Sequence, residues 1–83
     1  MSKVTISCLG IFRDLGDSFE VEVASLAVAD IRIAVDGFLV SRKRPDLCVV
    51  LKRSVFADGD ELLNDRMTAE GTAVSLLPPI AGG

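Results

Sequence analysis

The spacing of the apolar residues changes along the first half of the chain, and this change limits the folds that the sequence can adopt. Apolar residues alternate with polar ones over residues 4–8 and again over residues 19–23. Alternation is typical of a strand with one buried face, and the turn-forming segment 12–18 joins the two runs. The sequence therefore predicts a first strand over residues 3–12 and a second strand that pairs with it as a hairpin.

From residue 28 the apolar residues recur at steps of three and four instead. This stripe runs over residues 28–39 and predicts an amphipathic helix, with Ser25 as its expected cap and Pro45 as the residue that stops it. One alternative stays open, because apolar residues also alternate here and Asp36-Gly37 is a strong hairpin signal. The helix is preferred because the apolar stripe continues beyond that dipeptide.

The second half of the chain is less regular. The β-branched run over residues 47–51 predicts a strand, and residues 57–60 have the composition of a turn. The leucines at 62–63 fit either a short strand or a helical turn. Residues 72–77 predict the last strand, which ends at two prolines that donate no hydrogen bonds. With the first and last strands adjacent and the helix across one face, we expect an α+β fold with a mixed sheet of four to five strands.

The composition excludes several classes of function. The 83 residues carry 9 basic and 12 acidic side chains, and the net charge of −3 does not suit a nucleic-acid or anionic-membrane surface. The sequence contains no His, Trp or Tyr, so it lacks the commonest general base and the commonest zinc ligand. We therefore expect one domain over residues 1–83 that binds no nucleic acid, membrane or metal and is not an enzyme by itself.

Three other groups of residues favour a structural interpretation. Cys8 and Cys48 are too few for a disulfide framework and lack the spacing of a metal motif, so we expect two buried thiols in a reducing, cytoplasmic environment. The first residues contain no continuous apolar segment of the kind that forms a signal peptide. Residues 42–44 are expected to be a solvated basic helix end, and the acidic residues in 58–61 a turn rather than a metal site.

The last six residues, 78–83, are two prolines followed by Ile-Ala-Gly-Gly. Six extended residues reach at most about 20 Å, and glycines without a Cβ fit into channels too narrow for other residues. This pattern predicts a flexible tail that carries the Gly83 carboxylate into the active site of another protein. The exposed Ile80 beside the rigid prolines is expected to dock on that partner.

The segment 70–83 combines an acidic turn, a strand, paired prolines and a diglycine, and in this it resembles the ubiquitin-like sulfur carriers of the MoaD and ThiS type. A looser similarity covers the Phe-Arg-Asp-Leu-Gly segment at residues 12–16. The paired prolines are more similar to the small subunit of molybdopterin synthase than to the carrier of the thiamine pathway. The stretch 52–66 is longer and more polar than this family leads us to expect.

The resemblance implies a β-grasp fold and the role of a carrier. A ubiquitin-activating-enzyme-like adenylyltransferase would use ATP to adenylate Gly83, and a cysteine desulfurase or rhodanese-type donor would supply the sulfur that displaces AMP. The resulting thiocarboxylate would give its sulfur to the large subunit of molybdopterin synthase or to another sulfur-accepting enzyme, with no cofactor bound to the carrier. The residues expected to contact these partners are Pro78, Pro79, Ile80, Ala81 and Gly82, with Arg13 and Glu70 as further contacts.

Two alternatives remain open at this stage. The same sulfur chemistry could serve thiamine, cysteine, tRNA thiolation or a secondary metabolite, because the sequence shows no acceptor pocket. The activated Gly83 could instead form an isopeptide bond with a target lysine, which would make the chain a protein modifier. The diglycine is expected to be either a native end or one exposed by removal of further residues.

Overall fold

The computed structural model describes residues 2–79, and within them five strands form one mixed sheet. The strands are β1 (Ser2–Cys8), β2 (Ser18–Val23), β3 (Val55–Asp58), β4 (Glu61–Leu63) and β5 (Ala73–Leu77). The helices are α1 (Val28–Ser41), α2 (Pro45–Leu51) and a 3-10 helix (Gly10–Leu15). The strand order is β2-β1-β5-β3-β4, with β1 and β5 parallel and the other pairs antiparallel. The α+β class, the mixed sheet and the adjacency of the first and last strands are thus confirmed.

The first hairpin forms as predicted, although β1 is shorter than the sequence indicated. Val4 lies opposite Val21 and Ile6 opposite Phe19, so the apolar residues of both strands share the buried face. The strand ends at Cys8 and not at residue 12. The chain turns there into the 3-10 helix, which places the fully buried Phe12 in the core.

Helix α1 packs its apolar stripe against the sheet, and the alternative hairpin at residues 36–37 is wrong. Its cap differs from the prediction, because Ala27 and not Ser25 occupies the capping position. The Ser25 hydroxyl accepts a hydrogen bond from the Ala27 N–H at 3.1 Å and donates one to Asp30 at 2.6 Å. The side chains that α1 buries are Val28, Ile31, Val35 and Leu39.

The predicted strand at residues 47–51 is wrong, because this segment is helix α2. Pro45 begins the helix instead of only ending the previous one, since a proline at the first helical position loses no intrahelical hydrogen bond. Leu47 and Leu51, four residues apart, lie on one face of α2 and are buried, whereas Val49 is 64% exposed. Helical spacing of two leucines therefore outweighs the β-propensity of the run.

Strands β3 and β4 form a short hairpin at the edge of the sheet. Of the predicted turn at 57–60, only Gly59, with a φ of +61°, and Asp60 form the turn, while Ala57 and Asp58 belong to β3. The leucines at 62–63 are in a strand, which settles that alternative. The last strand begins one residue later than predicted, although the Thr72 carbonyl still accepts a hydrogen bond from the Thr5 N–H.

Arg32 of α1 connects parts of the chain that are far apart in sequence. Its guanidinium donates hydrogen bonds to the carbonyl oxygens of Leu51 at 2.5 Å and Ser54 at 3.0 Å. It also pairs with the Asp65 carboxylate at 2.9 Å and lies 5.2 Å from the ring centre of Phe56. The end of α2 and the loop after β4 are thus both attached to α1.

One buried cluster fills the space between the sheet and the helices. At its border the rings of Phe19 and Phe38 stack with centroids 4.2 Å apart. Among residues 2–79, neither α-helix combines the length and the apolar character that crossing a bilayer requires. The largest fully buried side chains are Phe12, Phe56, Ile6, Ile31, Leu39, Leu47, Leu51 and Leu76.

Candidate functional site at the end of the central strands

The candidate site is the point where the chain leaves the sheet after β5. This strand is central, because it pairs with β1 on one side and with β3 on the other. In the parallel pair, Cys8 lies opposite Leu76. Cys8 is the last residue of β1, and Leu76 is the next-to-last residue of β5. The chain therefore leaves β1 and β5 at the same end of the sheet.

Gly10 and Pro78 meet at this end, two residues beyond the last parallel pair. Gly10 has a φ of +57°, a left-handed conformation that side chains other than glycine adopt at a cost. A Cβ at Gly10 would lie 2.5 Å from the Cγ of Pro78, well inside van der Waals contact. The proline ring thus packs directly on a bare stretch of backbone.

The two prolines end β5 where the sequence predicted. The last residue of the strand, Leu77, lies opposite Val55 of β3, and neither proline after it can donate a hydrogen bond to a neighbouring strand. Pro78 is half-buried and Pro79 is exposed. The predicted contact residues Ile80, Ala81 and Gly82, together with Gly83 and the prediction that the tail is flexible beyond Pro79, lie outside the described residues.

Apolar side chains are exposed around Pro78. Leu9 and Ile11, which flank Gly10, are 38% and 46% exposed, and Val55 opposite Leu77 is 41% exposed. The described residues therefore leave part of the apolar surface of all three side chains uncovered. The surface around the tail could therefore bury further apolar area against a partner.

The two charged residues that were predicted as further partner contacts, Arg13 and Glu70, lie at opposite ends of the sheet. Arg13 lies in the 3-10 helix after β1, at the same end of the sheet as Pro78, and forms an exposed ion pair with Asp17 at 3.4 Å. Glu70 precedes β5 and so lies at the opposite end of that strand, with its backbone N–H donating to the Asp58 carboxylate at 3.1 Å. Of the two, only Arg13 shares the end of the sheet from which the tail leaves.

Both cysteines are free thiols that are poorly suited to nucleophilic attack. Cys8 is buried as predicted, and burial together with the nearby Asp17 charge raises its pKa. Cys48 is only half-buried, and desolvation followed by its interaction with Asp36 raises its pKa as well. A raised pKa lowers the thiolate fraction, which is the reactive form.

Two of the basic residues that follow α1, Arg42 and Arg44, contact neighbouring side chains. Arg44 pairs with Asp46 at 3.0 Å and with Asp14 at 3.4 Å, and its hydrogen bonds hold the pKa of the Asp46 carboxyl below its ordinary value. Arg42 lies over the ring of Phe38, 4.9 Å from its centre. Within the described part of the chain, no three Cys, Asp or Glu side chains are grouped as a metal site would require.

No protein-family model matches this chain, and no curated protein or solved structure matches it either. A function must therefore be inferred from the residues and their geometry. The role of Gly10 was not predicted from the sequence, because the predicted first strand ran through it from residue 3 to residue 12. A glycine within a strand pattern is itself a signal of a break or of a close backbone approach, and that signal could have identified it.

Proposed function

We propose that this chain is a ubiquitin-like sulfur carrier with a β-grasp fold, whose reactive group is the carboxylate of Gly83. The observation that carries the proposal is the position of β5, a central strand that runs parallel to β1 and leads through Pro78 and Pro79 to the Gly-Gly pair. A reactive carboxylate at the end of such a strand extends from a rigid platform. The order hairpin, helix, edge hairpin and central last strand supports the β-grasp assignment.

The chemistry requires that the Gly83 carboxylate is free. One of its oxygens attacks the α-phosphorus of ATP on a partner adenylyltransferase, which forms an acyl-adenylate and releases pyrophosphate. Hydrosulfide then attacks the acyl carbon, the C–S bond forms, the C–O bond to AMP breaks, and AMP leaves with its electron pair. When a protein persulfide is the sulfur source, a thiol must also reduce the S–S bond to free the thiocarboxylate.

The carrier itself supplies no acid-base group in this scheme. The sequence has no His, and the pKa values of both thiols are raised in the structure. ATP is bound by the adenylyltransferase and not by the carrier, and the sulfur comes from a cysteine desulfurase or rhodanese-type donor. The free thiols support a reducing location such as the cytoplasm.

For the sulfur acceptor, the paired prolines favour the large subunit of molybdopterin synthase. The exposed apolar residues Leu9, Ile11 and Val55 near Pro78 give such a partner an apolar surface to cover. Co-purification of the tagged chain from its own host would identify the acceptor. A thiazole, tRNA-thiolation or other sulfur-accepting enzyme in the eluate would retain the carrier chemistry and reject this acceptor.

The central experiment measures the intact mass of a chain that ends at Gly83. The chain is incubated with ATP, sulfide and the ubiquitin-activating-enzyme-like adenylyltransferases of its host. We expect the mass gain of one oxygen-to-sulfur exchange, localised to the last residue by fragmentation, with AMP and pyrophosphate released. Absence of this exchange with every such enzyme would reject the proposal, and new lysine-linked adducts without it would identify a protein modifier instead.

Two glycine substitutions provide a matched comparison. Gly71 is exposed, and a Cβ there meets no atom within 4 Å, so Gly71→Ala should leave the exchange unchanged. Gly82→Ala adds the same methyl group next to the reacting residue and should slow the exchange strongly, because a narrow channel excludes a Cβ. Equal rates for the two variants would contradict a tail-specific reaction.

A further inference from the structure

Gly10 and Pro78 are neighbours because β1 and β5 are parallel. The register places Cys8 opposite Leu76, and two further residues on each chain bring Gly10 beside Pro78. A Cβ at Gly10 would stand 2.5 Å from the proline Cγ and 3.3 Å from its Cδ. Carbon atoms in folded proteins pack about 3.5–4.0 Å apart, so only glycine leaves room for the ring in this position.

We propose that Gly10 is a positioning residue, and that its bare backbone is a seat for the Pro78 ring which sets the direction of the chain toward Gly83. A proline is suited to this role because its ring fixes φ near −65°. Pro79 follows with the same restriction, so a direction fixed at Pro78 is passed on to the next residue. The seat is a property of the fold, while its consequence for delivery of the Gly83 carboxylate rests on the proposed function.

The first test compares two glycines that share a backbone conformation. Gly10 and Gly59 have φ values of +57° and +61°, but a Cβ at Gly59 meets nothing within 4 Å. Gly10→Ala therefore adds a collision with Pro78 to the left-handed strain that Gly59→Ala introduces alone. Strain alone should lower the midpoint of thermal unfolding by about 4–8 °C in Gly59→Ala, and this variant calibrates that effect.

Activation of the tail should separate the two variants. The assay is ATP–pyrophosphate exchange on the adenylyltransferase that modifies the wild-type chain. We expect Gly10→Ala to lower kcat by about 10- to 100-fold with little change in KM, because a misdirected tail places its carboxylate poorly after normal docking. Gly59→Ala should retain the wild-type kcat at a temperature where both variants are folded.

A double-substitution cycle tests whether Gly10 acts through Pro78. Pro78→Ala removes the seated ring and should lower kcat by itself, and Gly10→Ala/Pro78→Ala should be no slower than the slower single variant. Gly59 is the matched control, because a Cβ there meets nothing within 4 Å, so Gly59→Ala/Pro78→Ala should have the same kcat as Pro78→Ala. Multiplicative effects of Gly10→Ala and Pro78→Ala would overturn the proposed role of the seat.

A measurement without any enzyme keeps this inference distinct from the proposed function. Residual dipolar couplings give the orientation of the Ile80 amide relative to the sheet in each variant. We expect this orientation to change in Gly10→Ala and in Pro78→Ala and to stay at the wild-type value in Gly59→Ala. An unchanged orientation in Gly10→Ala refutes the seat, whereas a changed orientation in a chain that no enzyme adenylates retains the seat and rejects the sulfur-carrier function.

Discussion

Replacement of Arg32 by methionine should destabilise the protein more than any other substitution of a charged residue described above. The side chain is only 21% exposed, and it donates to the carbonyl oxygens of Leu51 and Ser54. Methionine has a similar length and can still pack on Phe56, but it donates no hydrogen bond. The substitution therefore removes the bonds while it preserves most of the packing.

The expected loss follows from what each contact contributes. A hydrogen bond from a charged donor is worth about 1.5–3 kcal/mol, and Arg32→Met removes two such bonds, although the Leu51 carbonyl keeps a hydrogen bond from the Ser54 N–H at 3.0 Å. Water can reach part of the site, so we expect the free energy of unfolding to fall by about 2–4 kcal/mol. The ion pair with Asp65 adds little, because that carboxylate is 57% exposed and exposed pairs contribute about 0–1 kcal/mol.

Urea unfolding followed by circular dichroism measures this loss. With about 4–12 kcal/mol of total stability for a chain of this size, Arg32→Met should lower the midpoint by about 1–3 M. Asp65→Asn should lose at most about 1 kcal/mol. Arg53→Met is the matched control, because Arg53 is exposed and its side chain forms no hydrogen bond or ion pair with residues 2–79. Equal losses for Arg32→Met and Arg53→Met would refute the reasoning.

Two further predictions concern ionisable groups. Cys8 is 4% exposed and its pKa is raised. A thiol reagent should therefore modify Cys8 on the order of 100-fold more slowly in the native protein than in urea, as measured by peptide mass spectrometry. Equal rates would show that the thiol is accessible in the native protein. The hydrogen bonds from Arg44 lower the pKa of Asp46 from its ordinary 3.8, so the folded state binds this proton less readily than the unfolded state. The stabilisation by Asp46 should be present above pH 3.8 and be lost as the pH falls through the lowered folded-state pKa. Unfolding curves between about pH 2 and 5 should therefore be less pH-dependent in Asp46→Asn, and identical pH dependence would contradict the pair.

The first half of the fold could be predicted because its signals are local. Alternation over residues 4–8 and 19–23 defines which face of each strand is buried, and the three- and four-residue steps of α1 do the same for a helix. The adjacency of β1 and β5 could also be predicted, because two such strands side by side beneath the helix bury their apolar stripes in one layer.

The second half could not be predicted as well, because its signals are short. An apolar run of five residues fits a strand or a buried helix equally, and only the buried Leu47 and Leu51 on one face distinguish them. The missed strand β3 has four residues, of which Asp58 has the composition of a turn. Arg32 looked like part of a polar helix face, because its partners are 19 to 33 residues away in sequence.

The candidate site was predicted only in part, because some of its residues form a local motif and one does not. The prolines and glycines after β5 are a local motif, and the sequence identified them. Gly10 is a site residue only because the 67 residues between it and Pro78 fold so that the two meet, which no local pattern encodes. Its positive φ and its contact with the proline ring both depend on where β1 ends.

The parallel pairing of β1 and β5 also links the seat to the stability of the whole domain. A parallel pair needs a long crossover connection, and here α1, α2 and the β3–β4 hairpin all lie between the two strands. Gly10 and Pro78 can therefore meet only when that connection is folded, because closing so long a loop without its packed core is unfavourable. A core substitution away from the seat, such as Leu39→Ala in α1, should then reduce tail activation only in proportion to the unfolded fraction. Gly10→Ala, by contrast, should reduce activation in molecules that are fully folded, and this difference separates loss of the seat from loss of the fold.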